Sequence, residues 1–144
     1  MKKDSSKKVL HVGAAVIRRD CRVLLSTRPV EKPPAGLEFP GGKIEPGESL
    51  NLAIKRELRE ELGVEVLPLD EIFRISHETE NAIIHLRFVR VVLPQDAIVT
   101  PLEGQNFGWF DLHEHMPEEL LKPDRPVWDF LHESPNICEN IFRN

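Results

Sequence analysis

A mixed α+β domain is the fold class the sequence predicts, and three observations predict it. One helix stands out between a turn and a stop signal, strand-like apolar runs lie on both sides of it, and no repeat, linker or low-complexity segment divides the 144 residues. A chain of this length suits one domain with a single core, expected over residues 1–144 with 1–8 as a disordered stretch or extension.

The elements follow in order. Val9 to Ile17 is rich in β-branched and small apolar residues, and Arg22 to Thr27 repeats the pattern after the polar break Arg18-Arg19-Asp20, so two strands joined by a short turn are expected. Arg28 to Gly36 is a proline-containing loop, and Leu37 to Pro40 runs extended into Gly41-Gly42, where glycines let the backbone approach a metal or phosphate closely. Ser49 to Leu62 reads as a helix, with Pro46-Gly47 as a turn before it, Ser49 as N-cap and Gly63 ending it; Leu50, Ile54, Leu58 and Leu62 form its buried stripe. Val64 to Leu69 and Ile72 to Ser76 are expected as strands. In Ala82 to Leu93, Ile84, Leu86 and Phe88 alternate with His85 and Arg87, which predicts one buried and one polar face. A loop at 94–104 leads to a short aromatic strand, Gln105 to Asp111, and Pro117 to Leu121 with Val127 to Leu131 supplies a second helical element.

Composition narrows the function. With 40% hydrophobic and 30% charged residues the chain is an ordinary soluble one, and a net charge of -5 leaves no basic footprint for a nucleic-acid polymer. No stretch is long enough to span a membrane, and the residues after MKKDSSKK are too polar for a signal peptide. Cys21 and Cys138 lie far apart without metal-ligand spacing, so reduced thiols in a cytoplasmic protein are expected rather than a disulfide framework.

The chemistry is concentrated in Gly42 to Val64. Glu57, Glu60 and Glu61 stand at i, i+3 and i+4, which gathers three like charges on one helix face and calls for a positive partner. Oxygen-only ligation favours a hard cation, Mg²⁺ or Mn²⁺, of the kind that bridges protein acids to substrate phosphates. The duller reading, a solvated acidic face balanced by Lys55, Arg56 and Arg59, is the usual one for an arbitrary helix.

The spacing tips that balance. Gly42, Glu48, Arg56, Glu57, Leu58, Glu60, Glu61, Gly63 and Val64 fill every specified position of the pattern G-x5-E-x7-R-E-U-x-E-E-x-G-U, and the segment resembles the Nudix box. GLEFPGGKIEPGES and LEGQNFGWFDL extend the resemblance, from about Val9 to Leu131, to MutT-type nucleoside triphosphate pyrophosphohydrolases. It implies the Nudix fold, a mixed sheet sandwiched between helices. It also implies Mg²⁺-dependent hydrolysis of a nucleoside triphosphate to monophosphate and pyrophosphate, the nucleotide-pool sanitising that supports DNA repair.

By that resemblance Glu57, Glu60, Glu61 and Glu103, with the Gly41 carbonyl, are the expected metal ligands, either Glu57 or Glu103 is the base, and Arg56 holds the cluster through Glu48 or Glu57. Arg28 and Lys43 are candidate phosphate contacts, although Arg28 also has Glu31 nearby as an ion-pair partner. Phe39 and Asp124 match base-binding positions and favour a purine such as 8-oxo-dGTP. SHETENAIIHLRF is closer to relatives that hydrolyse CTP and modified pyrimidine triphosphates. ADP-ribose or dinucleoside polyphosphate hydrolysis and a non-catalytic nucleotide sensor are the remaining readings. His77, His85, Arg74 and Arg87 read as polar residues of a half-exposed sheet face, and Phe39, Trp109 and Trp128 as core residues rather than stacking partners for a base. The partner is a small nucleotide, with monomer or homodimer left open.

Overall fold

Successive side chains of a strand point to opposite sides, so an unbroken apolar run needs cover on both. Ala14, Ala15, Val16 and Ile17 are such a run, and all four are buried. The computed structural model, which describes residues 7–28 and 35–134, supplies one helix for each face. Ala14 and Val16 join Phe39, Phe88, Leu120, Val127, Trp128 and Leu131 beneath α2 (Arg125–His132). Ala15 and Ile17 join Leu24, Ile54, Leu58, Leu62, Val89 and Val91 beneath α1 (Leu50–Leu62).

Between the helices lies a seven-stranded mixed sheet built on β1 (Lys8–Arg19). One edge of β1 pairs in parallel with β6 (Ala82–Val92), from Lys8 opposite Ala82 to Ile17 opposite Val91. Its other edge is shared, with β4 (Gly41–Lys43) against Val12–Ala14 and β2 (Arg22–Thr27) against Arg18 and Arg19, both antiparallel. The outer strands are β5 (Leu67–Glu78) on β6, and β3 (Leu37–Glu38) and β7 (Phe107–Asp111) on β2. Asp20, with φ 55°, turns β1 into β2.

Several expected boundaries move. Val64–Leu69 and Ile72–Ser76 are not two strands: Val64 and Val66 are buried after the helix, and β5 runs unbroken from Leu67 with register shifts between Pro68 and Glu71 and between Glu71 and Phe73. These bulges absorb the mismatch that broke the sequence pattern. Pro117–Leu121 is not helical either. Leu120 N–H closes a single turn on Pro117 O at 3.1 Å, and Leu37 donates its N–H to Glu119 O, accepts from Leu121 N–H and bridges Leu120 in parallel, so this stretch is a turn tied to β3. A 3₁₀ turn at Lys122–Asp124 and then α2 follow it.

Cys21 is disulfide-bonded, which corrects the expected reduced thiol and removes the thiol-based argument for the cytoplasm. Its partner lies outside the described residues, as do Cys138 and Glu31, and separation along a chain does not limit which thiols a fold can join. Of the extension expected over residues 1–8, the first six also lie outside, while Lys8 already pairs in β1. No helix among the described residues is long and apolar enough to cross a membrane.

Candidate active site

The site begins with glycines that let two elements touch. β4 lies against β1 so closely that a Cβ built on Gly41 would come within 2.0 Å of Gly13 O. At Gly42 an added Cβ would stand 2.3 Å from the carboxyl carbon of Glu57. Glycine is required here by contact, which brings the backbone of β4 directly under a helix carboxylate.

Helix α1 is held in register at both ends. The Ser49 hydroxyl accepts from Leu52 N–H at 3.2 Å, a cap worth about 1 kcal/mol. Gly63, with φ 66°, closes the other end and donates its N–H to Arg59 O. Beyond it the expected loop satisfies two of the last helix carbonyls: Thr100 N–H donates to Leu62 O and Leu102 N–H to Glu61 O, both at 2.9 Å. That docking carries Glu103 to the acidic face of α1. The buried Gln105 side chain completes it, accepting from Glu103 N–H at 2.9 Å and donating to Glu61 O.

Arg56 ties the helix to the preceding loop. Its Nε donates to Glu48 at 2.7 Å, Nη2 to Glu48 and to Lys43 O at 2.9 Å each, and Nη1 to Glu57 at 3.0 Å and Glu60 at 3.4 Å. The expected anchor through Glu48 or Glu57 is therefore made to both. Its guanidinium, helped by Glu45 N–H, holds the Glu48 carboxyl down to about 2. The fork geometry explains why this position takes arginine: one planar group engages four separate partners, which a lysine ammonium has no means of doing at the same angles.

Glu57, Glu60, Glu61 and Glu103 ring an open cavity of about 630 Å³ with Gly41, Gly42, Lys43, Arg28, Arg56 and Glu38. Among the described residues no three acidic, His or Cys side chains close on a point as a preformed cation cage. The electrostatics show what they lack. Burial pushes the Glu61 carboxyl far above the ordinary range, and Glu57, Glu103 and Glu38 push it further. A hydrogen bond shared with Glu57 acts in the same direction. Oxygen donors crowded around a deficit of positive charge fit a hard divalent cation.

A second cavity of about 510 Å³ continues from the first through the shared residues Val12, Arg28 and Glu38. Arg28 Nη1 pairs with Glu38 at 3.3 Å across this join, while Glu31, the partner considered from sequence, lies outside the described residues. One wall is sheet, with Val12, Ile84, Leu86 and His77; the other is Leu121, Lys122, Pro123 and Asp124. Asp124 is buried, and one of its oxygens accepts from Phe39 N–H at 2.9 Å. Burial raises its carboxyl to about 7, against the lowering effect of that hydrogen bond.

The fold thus brings Arg28, Gly41, Lys43, Arg56, Glu57, Glu60, Glu61, Glu103 and Asp124 to one continuous cleft. It does not bring the Phe39 ring there. That ring is buried edge-on to Phe88 beneath α2, and only the Phe39 backbone meets Asp124. Val12, Glu38, His77 and Gln105 were missed. Ile84 and Leu86 were visible as a buried face by alternation, whereas nothing local marks Glu38 or Gln105. A separate cavity of about 530 Å³ beside His113, His115, Trp128 and His132 contains none of the expected site residues.

Comparison with known proteins identifies the family. The NUDIX domain family model matches residues 7–130. The CTP pyrophosphohydrolase of Escherichia coli K12 is 48% identical over 122 residues, spanning 80% of this chain and 82% of that one. The 8-oxo-dGTP diphosphatase of Haemophilus influenzae is 35% identical over 111 residues, 74% of this chain and 79% of its own. Among solved structures, the E. coli ORF135 protein superposes with a TM-score of 0.74 at 35% identity, covering 89% of this chain and 91% of that one. A MutT NUDIX hydrolase from Burkholderia pseudomallei gives 0.71 at 25% identity, covering 85% and 98%.

Proposed function

The chain belongs to the NUDIX domain family, and from that premise we propose that it is a Mg²⁺-dependent pyrophosphohydrolase of free nucleoside triphosphates, yielding the monophosphate and pyrophosphate. The observation that carries the reading is the continuity of the two cavities, one acidic and one lined by aliphatic side chains and Asp124, with Arg28 at their join. A triphosphate fits the first and a base the second.

Members of the family generally use a divalent cation. When bound it offsets charge on the phosphoryl oxygens and lowers the pKa of water. Glu57, Glu60, Glu61 and Glu103, with the Gly41 carbonyl, would hold it here. Arg56 keeps Glu57 and Glu60 from swinging away, because their side chains share its guanidinium. Lys43 and Arg28 contact the phosphates, and Glu57 or Glu103 takes the proton from the attacking water. Gln substitutions at those two positions separate the roles. The base variant loses the acidic limb of the pH–rate profile, and a pure ligand variant keeps it while needing more metal.

At the other end, the Asp124 carboxyl accepts from an amino group of the base. We place cytosine ahead of 8-oxoguanine, reversing the order taken from sequence, because the CTP pyrophosphohydrolase is the more similar of the two relatives over a comparable share of the chain. The 8-oxo-dGTP reading stands second, since guanine also presents amino and imino donors. A panel of CTP, dCTP, dGTP, 8-oxo-dGTP and ADP-ribose with Mg²⁺ tests this, scoring pyrophosphate against phosphate release. Triphosphates are expected to give pyrophosphate; intact triphosphates beside cleaved ADP-ribose would overturn the proposal.

A further inference from the structure

The structure singles out one polar side chain on an otherwise aliphatic wall. His77 in β5 lies opposite Ile84 in β6, one row beyond the pair Ile75 and Leu86, so the register puts it on the face that carries the second cavity. Its neighbours there are Val12, Ile84 and Leu86, and the facing wall holds Asp124.

Apart from Lys122 on the facing wall, the other polar groups of this cavity are engaged. Arg28 is paired with Glu38, one Asp124 oxygen is taken by Phe39 N–H, and the Thr79 hydroxyl donates to Ala82 O and accepts from Ala82 N–H. The ring nitrogens of His77 have no hydrogen-bond partner among the described residues. His85 shows the contrast. It sits on the opposite face, shares a hydrogen bond with Ser76 at 2.8 Å and stacks on His11 at 5.3 Å. A structural histidine in this sheet is bonded and stacked, and His77 is neither.

We infer that His77 is a specificity-determining residue of the base pocket, donating an N–H to a carbonyl oxygen or ring nitrogen of the base that Asp124 holds through its amino donor. Two readers of opposite hydrogen-bonding sense, one on each wall, fix the orientation of a base between them. Either alone leaves it free to turn. The inference rests on the proposed placement of the base in this cavity, so its test must separate the two.

Steady-state kinetics with Mg²⁺ compare wild type, His77→Leu, His77→Gln and Asp124→Ala on CTP, 8-oxo-dGTP and ribose 5-triphosphate, which keeps the sugar and phosphates and has no base. Loss of one neutral hydrogen bond predicts that His77→Leu raises KM for the better nucleotide about three- to tenfold while kcat holds. His77→Gln, which keeps an N–H donor, recovers most of that loss, and ribose 5-triphosphate is unaffected by either. An unchanged KM in His77→Leu overturns the assignment, as does equal impairment on the base-free substrate, the mark of a merely structural role. If Asp124→Ala weakens nucleotides alone and His77→Leu does not, only the role of His77 falls. If neither variant distinguishes nucleotide from ribose 5-triphosphate, the base lies elsewhere and both readings fall.

Discussion

The two ends of the cleft are built on opposite principles. At the phosphate end, charged side chains are cross-linked: one guanidinium engages Glu48, Glu57, Glu60 and a backbone carbonyl, and a loop bonded to the end of α1 delivers Glu103. At the base end a few polar groups, Asp124 and His77 among them, face each other across Val12, Ile84, Leu86 and Leu121. The chemistry of an anhydride is the same whatever base it carries, so its machinery is dense, rigid and contained in one motif. Selectivity depends on which polar groups the wrong base leaves unpaired, and a handful of contacts on a dry wall suffices.

That difference is open to test. Glu60→Gln and Glu61→Gln should lower kcat on the order of 10²- to 10³-fold on every triphosphate, with circular dichroism and Tm showing the fold retained. Near-normal turnover in either would remove that residue from the metal site. Arg56→Lys keeps the charge and loses the fork, so activity should fall about 10- to 100-fold without a change in base preference. A change in preference would show that the two ends are not separable. Gly42→Ala forces a methyl against Glu57 and should cost about 1–3 kcal/mol in urea unfolding together with much of the activity.

The smallest expected effect is at the base end. Burial pushes the Asp124 carboxyl up from 3.8 to about 7 in the fold, so the unfolded chain gives up this proton first and stability falls as pH rises between those values. Asp124→Asn keeps an acceptor for Phe39 N–H and cannot ionise. Its Tm should exceed that of wild type at pH 8, with the gap closing toward pH 4, and its base preference should change while kcat on ribose 5-triphosphate does not. A pH-independent gap would mean that Asp124 is not the group being relieved.

Much of this molecule was legible from local pattern. Ser49, Gly63 and the stripe Leu50, Ile54, Leu58, Leu62 mark α1 because caps and helical periodicity are short-range. The acidic cluster Glu57, Glu60 and Glu61 was readable for the same reason, since i, i+3 and i+4 spacing places carboxylates on one face without reference to the rest of the chain. Where short-range rules met a long-range partner they failed. Pro117–Leu121 had the composition of a helix start, yet its bonds to Leu37 stop it after a single turn, and the bulges of β5 disguised one strand as two.

The limits of local pattern are clearest at Phe39 and His77. Motif position pointed Phe39 at the base while residue type read it as core, and His77 was left on a half-exposed face; packing against Phe88 keeps the first in the core, and register with Ile84 put the second on the cavity wall. The family and the acidic face proposed to hold metal were therefore legible from residues within one contiguous segment, whose geometry the helix dictates. The base pocket had to await the fold. Its walls come from β1, β5, β6 and the 3₁₀ turn at Lys122–Asp124, and which side chains of a strand face inward depends on pairing partners far away in sequence.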